Sequence, residues 1–187
     1  MEFEKLSKEE KAVAVAKDIL LQLNQKVYKP CRGSYISGLR SSIESGSIKD
    51  NFDKIETCQV CAIGSFLLSS THLYNKLDFE DLSHMYITLD ELSNIKIINL
   101  LSSIFDDKTL FLIEECFESD YHFEYGYNRF EQPDRYSVDI KNFDIANLTE
   151  YEIEQCQDFY EKHGNNSLLV LKAICNNIID NNGQFIL

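Results

Sequence analysis

The sequence predicts a mainly α-helical fold, a bundle of about six helices with a small β-hairpin or aromatic loop near 120–142. Three observations point that way. Apolar residues recur at helical spacing in several separate stretches, as amphipathic helices require. Capping signals of the Ser/Thr-x-x-Glu type stand ahead of those stretches. Two Pro and seven Gly are few for a chain built on the tight turns of an all-β fold. With 44% hydrophobic residues over 187 positions, the chain can bury a core as one domain spanning 1–187.

Ser7-Lys-Glu-Glu10 reads as a capping box. Val13, Ala16, Ile19, Leu20 and Leu23 then repeat at helical spacing, predicting a helix over 8–25. Pro30 and Gly33 end that element. From there to about Asn51 Gly and Ser accumulate, predicting loops with a short helix near 36–44. The stretch from Cys58-Gln-Val-Cys61 to Ser70 is the most unusual, because charged residues stop at Glu56 and resume only at Lys76. It is apolar on nearly every side, yet too short and too rich in serine to cross a bilayer. It therefore predicts a buried helix over 60–75, packed on helix 8–25.

Thr88-Leu-Asp-Glu91 is a second capping box, ahead of the stripe Leu92, Ile95, Ile98, Leu101 and Ile104 that ends near Phe105. Asp106 or Asp107 caps the next helix, which carries Leu110, Ile113, Cys116 and Phe117, and the two predict an αα-hairpin. Between Asp120 and Asn147 the period changes. Tyr121, Phe123, Tyr125 and Tyr127 alternate with His122, Glu124 and Gly126. Tyr136, Val138 and Ile140 resume the pattern after the turn at Pro133-Asp134, hence the hairpin. Asn147-Leu-Thr-Glu150 opens a helix to about His163, with Gly164 as its stop. A last helix over 167–180 is expected to turn Leu169, Val170, Ala173, Ile174 and Ile178 inward. Gly183 ends it, and Phe185-Ile-Leu187 follows as an apolar tail expected to dock.

The net charge of −13 is unevenly placed. Residues 1–105 carry 12 Lys and Arg against 14 Asp and Glu, whereas residues 106–187 carry 6 against 17. Direct binding of nucleic acid rests on cations that displace phosphate counterions, so the second half disfavours it. An acidic face steers instead toward a basic protein. The residues expected to form that partner-binding face are Glu114, Glu115, Glu118, Asp120 and Glu124, followed by Glu150, Glu152, Glu154 and Asp158. Solubility alone is the plainer account of such a bias. Six cysteines without a secretory leader imply reduced thiols in the cytoplasm, and no stretch implies a membrane partner.

Cys58-x-x-Cys61 is the strongest candidate for chemistry. A thiol in a first helical turn meets unpaired N–H groups and the positive dipole end, which favour thiolate. A redox pair would need a preceding strand, and Ile55-Glu-Thr57 makes a poor one. A nucleophile at Cys61 would need His122 or His163 as its base. In that reading Cys58, Cys61 and Ser65 match positions of the motif Cys-Gly-Ser-Cys-Trp-Ala-Phe-Ser, and so resemble the papain-like cysteine peptidases. Gln-Val between the cysteines, Ala62 in place of Trp and Ile55 in place of the oxyanion Gln depart from it. A zinc site at Cys58 and Cys61 would need ligands such as His84, Cys31 or Cys116 returning through the fold, since His72 stands too far along the helix. The plain reading takes both thiols as small buried hydrophobes, with Gly64 allowing close packing. Arg32-Gly-Ser-Tyr-Ile-Ser-Gly38 lacks the Lys and the preceding strand of a phosphate loop.

Three passages, Val13-Ala-Val-Ala-Lys-Asp-Ile-Leu20, Cys58-Gln-Val-Cys-Ala-Ile-Gly64 and Asn177-Ile-Ile-Asp-Asn-Asn-Gly-Gln-Phe185, together resemble uncharacterised small proteins of bacteriophages and mobile elements. The resemblance brings no catalytic residue. It implies a setting, a bacterial host cell, in which an acidic helical protein acts without catalysis by occupying a basic surface on a host nucleic-acid-binding or defence protein.

Overall fold

The computed structural model describes residues 5–33, 35–39, 46–74, 77–82, 95–124, 148–164 and 166–187, with the side chains of 79, 80, 95 and 120–124 left aside. The chain is mainly helical with one small sheet. In order, the elements are α1 (Lys8–Asn24), β1 (Tyr28–Pro30), β2 (Ile36–Ser37), α2 (Ile48–Asn51) and a 3-10 turn (Phe52–Lys54). They continue with β3 (Cys58–Val60), α3 (Ala62–Tyr74), α4 (Phe79–Leu82), α5 (Ile95–Ser102), α6 (Asp107–Glu124), α7 (Glu150–Lys162) and α8 (Ser167–Asp180).

α1 begins at the predicted capping box: Glu10 N–H donates to Ser7 Oγ at 3.1 Å, and Ser7 N–H donates to Glu10 Oε2 at 2.8 Å. Its buried stripe is Ala12, Val15, Ala16, Ile19 and Leu23, so Val13 stands at the margin rather than at the centre. The helix ends before Lys26, whose φ of 64° turns the chain into β1. β1 lies parallel to β3, with Tyr28 opposite Cys58 and Pro30 opposite Val60. β2 lies antiparallel on the other side of β3, with Ile36 opposite Val60. Residues 36 and 37 are therefore strand, which corrects the short helix expected there. The remainder of that expected helix, from 40, lies outside the described residues.

α3 is the buried helix that the uncharged stretch predicts, and every residue from Ala62 to Thr71 is buried. Its hydroxyls tolerate this because each finds an acceptor or partner close by. Ser65, Ser70 and Thr71 donate to the carbonyls of Ala62, Phe66 and Leu67, and Ser69 Oγ lies 3.0 Å from Tyr28 OH. α1, α2, α5 and α6 pack around it. The predicted pairing of the first helix with this one is present, although α1 packs still more extensively on α8.

The capping box at Thr88–Glu91 lies outside the described residues. α5 buries Ile97, Ile98 and Leu101, and Ile104 follows in the turn that leads to α6. Asp106 caps α6, accepting the Thr109 N–H at 2.8 Å. The short turn joins α5 to α6 as expected, but α5 packs on α3 while the chief partner of α6 is α7. α6 runs through Glu124, so Tyr121 and Phe123 are helical, contrary to the alternating strand predicted there. Helical hydrogen bonding carries that backbone past the point where period 2 begins. The rest of the expected hairpin lies outside the described residues.

α7 starts at Thr149, which forms a reciprocal capping box with Glu152, two residues later than Asn147 suggests. α6 and α7 run parallel: Lys108 Nζ meets Glu152 Oε1 at 2.5 Å, and one turn further along both helices Cys156 Sγ donates to Leu112 O at 3.7 Å. Gly164 ends α7 with φ 92°, and Asn166 caps α8, which buries Val170, Ile174 and Ile178 as expected but leaves Leu169 in its first turn exposed, a correction to the inward set. After Gly183 the tail docks. Phe185 is buried with its ring 5.6 Å from that of Phe159, and Asn177 binds both the N–H and the carbonyl of Ile186.

Candidate functional site

Among the described residues, a set of chemically capable side chains gathers where the turn after β1 meets α3, α6 and α7. Parallel pairing continues through Cys31, whose N–H donates to Val60 O at 2.9 Å. The chain then folds over the start of α3, so that Tyr35 O accepts the Cys61 N–H at 3.1 Å. Gly64 makes this approach possible, because a Cβ there would overlap the Tyr35 carbonyl. Close packing at Gly64 is thus what the sequence suggests, with its partner now identified.

Beneath this loop α6 presents Glu114, Glu115 and Glu118, each only 7% exposed. Tyr35 OH donates to Glu114 Oε1 at 2.6 Å, and Gly33 N–H donates to Glu118 Oε2 at 3.1 Å. Arg32 lies over the ring of Tyr160 on α7, 4.4 Å from its centre, and Nη2 donates to the tyrosine oxygen. Buried carboxylates are held only where donors or cations reach them. Here Tyr35 OH and Gly33 N–H supply donors to Glu114 and Glu118. The arrangement fixes the loop against two helices with charge-assisted hydrogen bonds.

Both cysteines of the central pair belong to the same region, and the structure separates them. Cys58 is on β3 and Cys61 precedes α3 as its cap, with Gly64 N–H donating to Cys61 Sγ at 3.4 Å. A strand does lead into the helix, which the sequence reading missed. The hydrogen bond from the helix N-terminus lowers the thiol's pKa, as anticipated, but it is outweighed. Burial above all, then the neighbouring Glu118 and Glu114, push the Cys61 thiol well above its ordinary range. Burial likewise raises Cys58 to about 12 and Cys31 to about 11. Both pair members are buried, in keeping with the plain reading of two small buried hydrophobes and against the thiolate that the nucleophile reading needs.

The expected partner-binding residues do not share one face. Glu114, Glu115 and Glu118 face inward, so they form no part of an outer acidic face. Asp120 and Glu124, like the candidate base His122, stand on the last turns of α6, where side chains lie outside the described residues. On α7 the acids do face solvent: Glu150, Glu154 and Asp158 are exposed at four-residue spacing, and Glu161 extends the row. Glu152 is engaged instead with Lys108, which holds its carboxyl down at about 2 with help from the Thr149 N–H. His163 caps the far end of α7 with its ring 4.6 Å from Phe159, and burial lowers its pKa. Among the described residues no group of three or more His, Cys, Asp or Glu is arranged to hold a metal ion. His84 lies outside them.

Arg32, Tyr35 and Tyr160 are the members that sequence reasoning passed over. One signal was available for the buried acids. Glu114 and Glu118 directly follow Ile113 and Phe117 in the apolar stripe of α6, and so sit at the edge of its inward face. No helix among the described residues is long and apolar enough to cross a membrane. Compared with protein families, curated proteins and solved structures, the chain gives no match.

Proposed function

We propose that this chain is a non-enzymatic interaction protein that docks a basic protein partner on the outer face of α7. The supporting observation is the exposed row Glu150, Glu154, Asp158 and Glu161 on one stripe of the helix, with Tyr151 beside it 66% exposed. Residues four apart lie one above another on a helix, so the row presents a line of negative charge. Charge complementarity of this kind accelerates encounter and selects partners by sign. On the resemblance to phage and mobile-element proteins, the partner is a host nucleic-acid-binding or defence protein whose basic surface is blocked. The opposing enzymatic reading required an activated Cys61, and a buried, protonated thiol gives it no support.

The test compares the chain with its E150Q/E154Q/D158N/E161Q variant as baits in bacterial lysate at low and moderate salt. A basic protein retained by the parent at low salt, released at moderate salt and not captured by the folded variant is the expected result. Equal capture by both baits, or capture insensitive to salt, removes the α7 face from the mechanism.

A further inference from the structure

Away from the loop site, a carboxylate and an imidazole meet where α1 packs on α3. His72, in the last turn of α3, turns Nδ1 to Asp18 of α1, 3.1 Å from Oδ1 and 3.3 Å from Oδ2. Asp18 is buried, and Gln22 one turn along α1 donates its side-chain N–H to the same Oδ1 at 3.2 Å. A carboxylate only accepts hydrogen bonds, so in the neutral ring the proton lies on Nδ1 and the lone pair on Nε2. Phe52 of the 3-10 turn stacks on the imidazole, with ring centres 3.7 Å and planes 15° apart. Phe52 is itself braced edge-on by Tyr28, whose hydroxyl meets Ser69. Tautomer and ring plane are thereby both fixed. Nε2 meets no donor or acceptor among the described residues, while 28% of the His72 side chain is open to solvent. A buried carboxylate behind the ring and an open lone pair ahead of it suit an imidazole that attacks an electrophile, since the carboxylate offsets the positive charge the ring then acquires.

We propose that His72 is a phosphoryl-acceptor site, modified on Nε2 by a donor that carries its phosphoryl group on nitrogen. The Nε2 lone pair forms a new N–P bond in line with the donor's P–N bond, which breaks. The donor nitrogen, already protonated, departs with that electron pair as a neutral amine. No proton is drawn from the protein: Nδ1 keeps its hydrogen, and the imidazolium charge of the product faces Asp18. Phe52 covers one face of the ring, so the open route is in-plane approach along the Nε2 lone pair. An anionic donor meets less repulsion here than at α6 or α7, because residues 1–105 are close to charge balance and most of the excess acid lies beyond them. Lys49 of α2 adds a cation nearby, its ammonium donating at 3.2 Å to Leu73 O, in the residue after His72. His163 lacks such a setting: its ring lies against Phe159 and meets no carboxylate among the described residues.

The experiment incubates the full chain with phosphoramidate near neutral pH and maps phosphohistidine by mass spectrometry under alkaline conditions. Phosphorus NMR then reads which ring nitrogen carries the group. The expected result is one acid-labile phosphoryl group on Nε2 of His72, added faster than on any other histidine of the same molecules. Asp18→Asn keeps an acceptor for Nδ1 but removes the charge, and should slow His72 by roughly tenfold or more while His163 reacts as before. That internal comparison separates positioning of the imidazole from a general loosening of the fold. An unmodified His72, earlier labelling of His84, His122 or His163, phosphate on Nδ1 of His72, or an unchanged His72 rate in Asp18→Asn overturns the proposal. If the variant fails to fold, the order of labelling in the parent and the nitrogen that carries the phosphate decide the matter.

Discussion

Gly64 packs its Cα against the Tyr35 carbonyl that also accepts the Cys61 N–H, so a methyl added there enters the oxygen's shell. Backbone rather than a flexible side chain would have to yield. Gly64→Ala should therefore cost at least about 2 kcal/mol in urea unfolding. Gly46→Ala, with open space around it but φ 88°, should cost only about 1 kcal/mol. A cost at position 64 no larger than at 46 would show that the loop is not seated as described. Tyr35→Phe keeps the ring and removes the donor to a buried carboxylate, for an expected loss of about 1–3 kcal/mol. The thiols make a further prediction through pH. Folding raises Cys31 to about 11 and Cys58 to about 12, from 9.0. Below pH 9 both states hold these protons and the contribution is complete. Above it the unfolded chain loses them first, so stability should fall between pH 9 and 12, each thiol adding a slope of up to about 1.4 kcal/mol per pH unit. Melting temperatures recorded across that interval check the sign, and a rise would contradict the burial of the pair.

At the scale of elements, helices were legible because period and caps agree locally: Ser7 with Glu10 and the uncharged run of α3 each announce their own helix. The sheet was not legible. Strands of two or three residues carry no alternation to read, and Cys58–Val60 is a strand only because Tyr28–Pro30 and Ile36–Ser37 flank it. The same non-locality hid the loop site. Glu114 and Glu118 resemble a solvated face until Gly33 and Tyr35, some 80 positions earlier in sequence, are placed upon them. The Thr149 and Glu152 capping box supports a testable estimate here. Thr149→Ala removes an acceptor from the first turn of α7 and should cost about 1 kcal/mol. Because Glu152 also meets Lys108 on α6, Glu152→Gln should loosen the start of the parallel pair, read as faster amide exchange over the first turns of both helices.

For the whole molecule, a net charge of −13 opposes compaction, and the acids on α7 concentrate part of that cost on one face. Glu150–Glu154, Glu154–Asp158 and Asp158–Glu161 are like-charge neighbours at helical spacing, each destabilising by about 0.2–0.5 kcal/mol. Glu150 regains something from the helix dipole at the N-terminus, whereas Asp158 and Glu161 stand toward the unfavourable end. These terms give the variant E150Q/E154Q/D158N/E161Q a net stabilisation of about 1 kcal/mol at low salt. Added salt screens the same repulsion, so the parent's melting temperature should rise as ionic strength goes from about 0.01 to about 0.15 M. The variant should rise less. That pair of curves bears directly on the docking proposal. If the four acids cost stability and their removal also removes partner capture, the row is retained for binding at the expense of the fold. If neutralising them lowers stability, the acids are engaged in structural contacts and the face is not the free surface that docking requires.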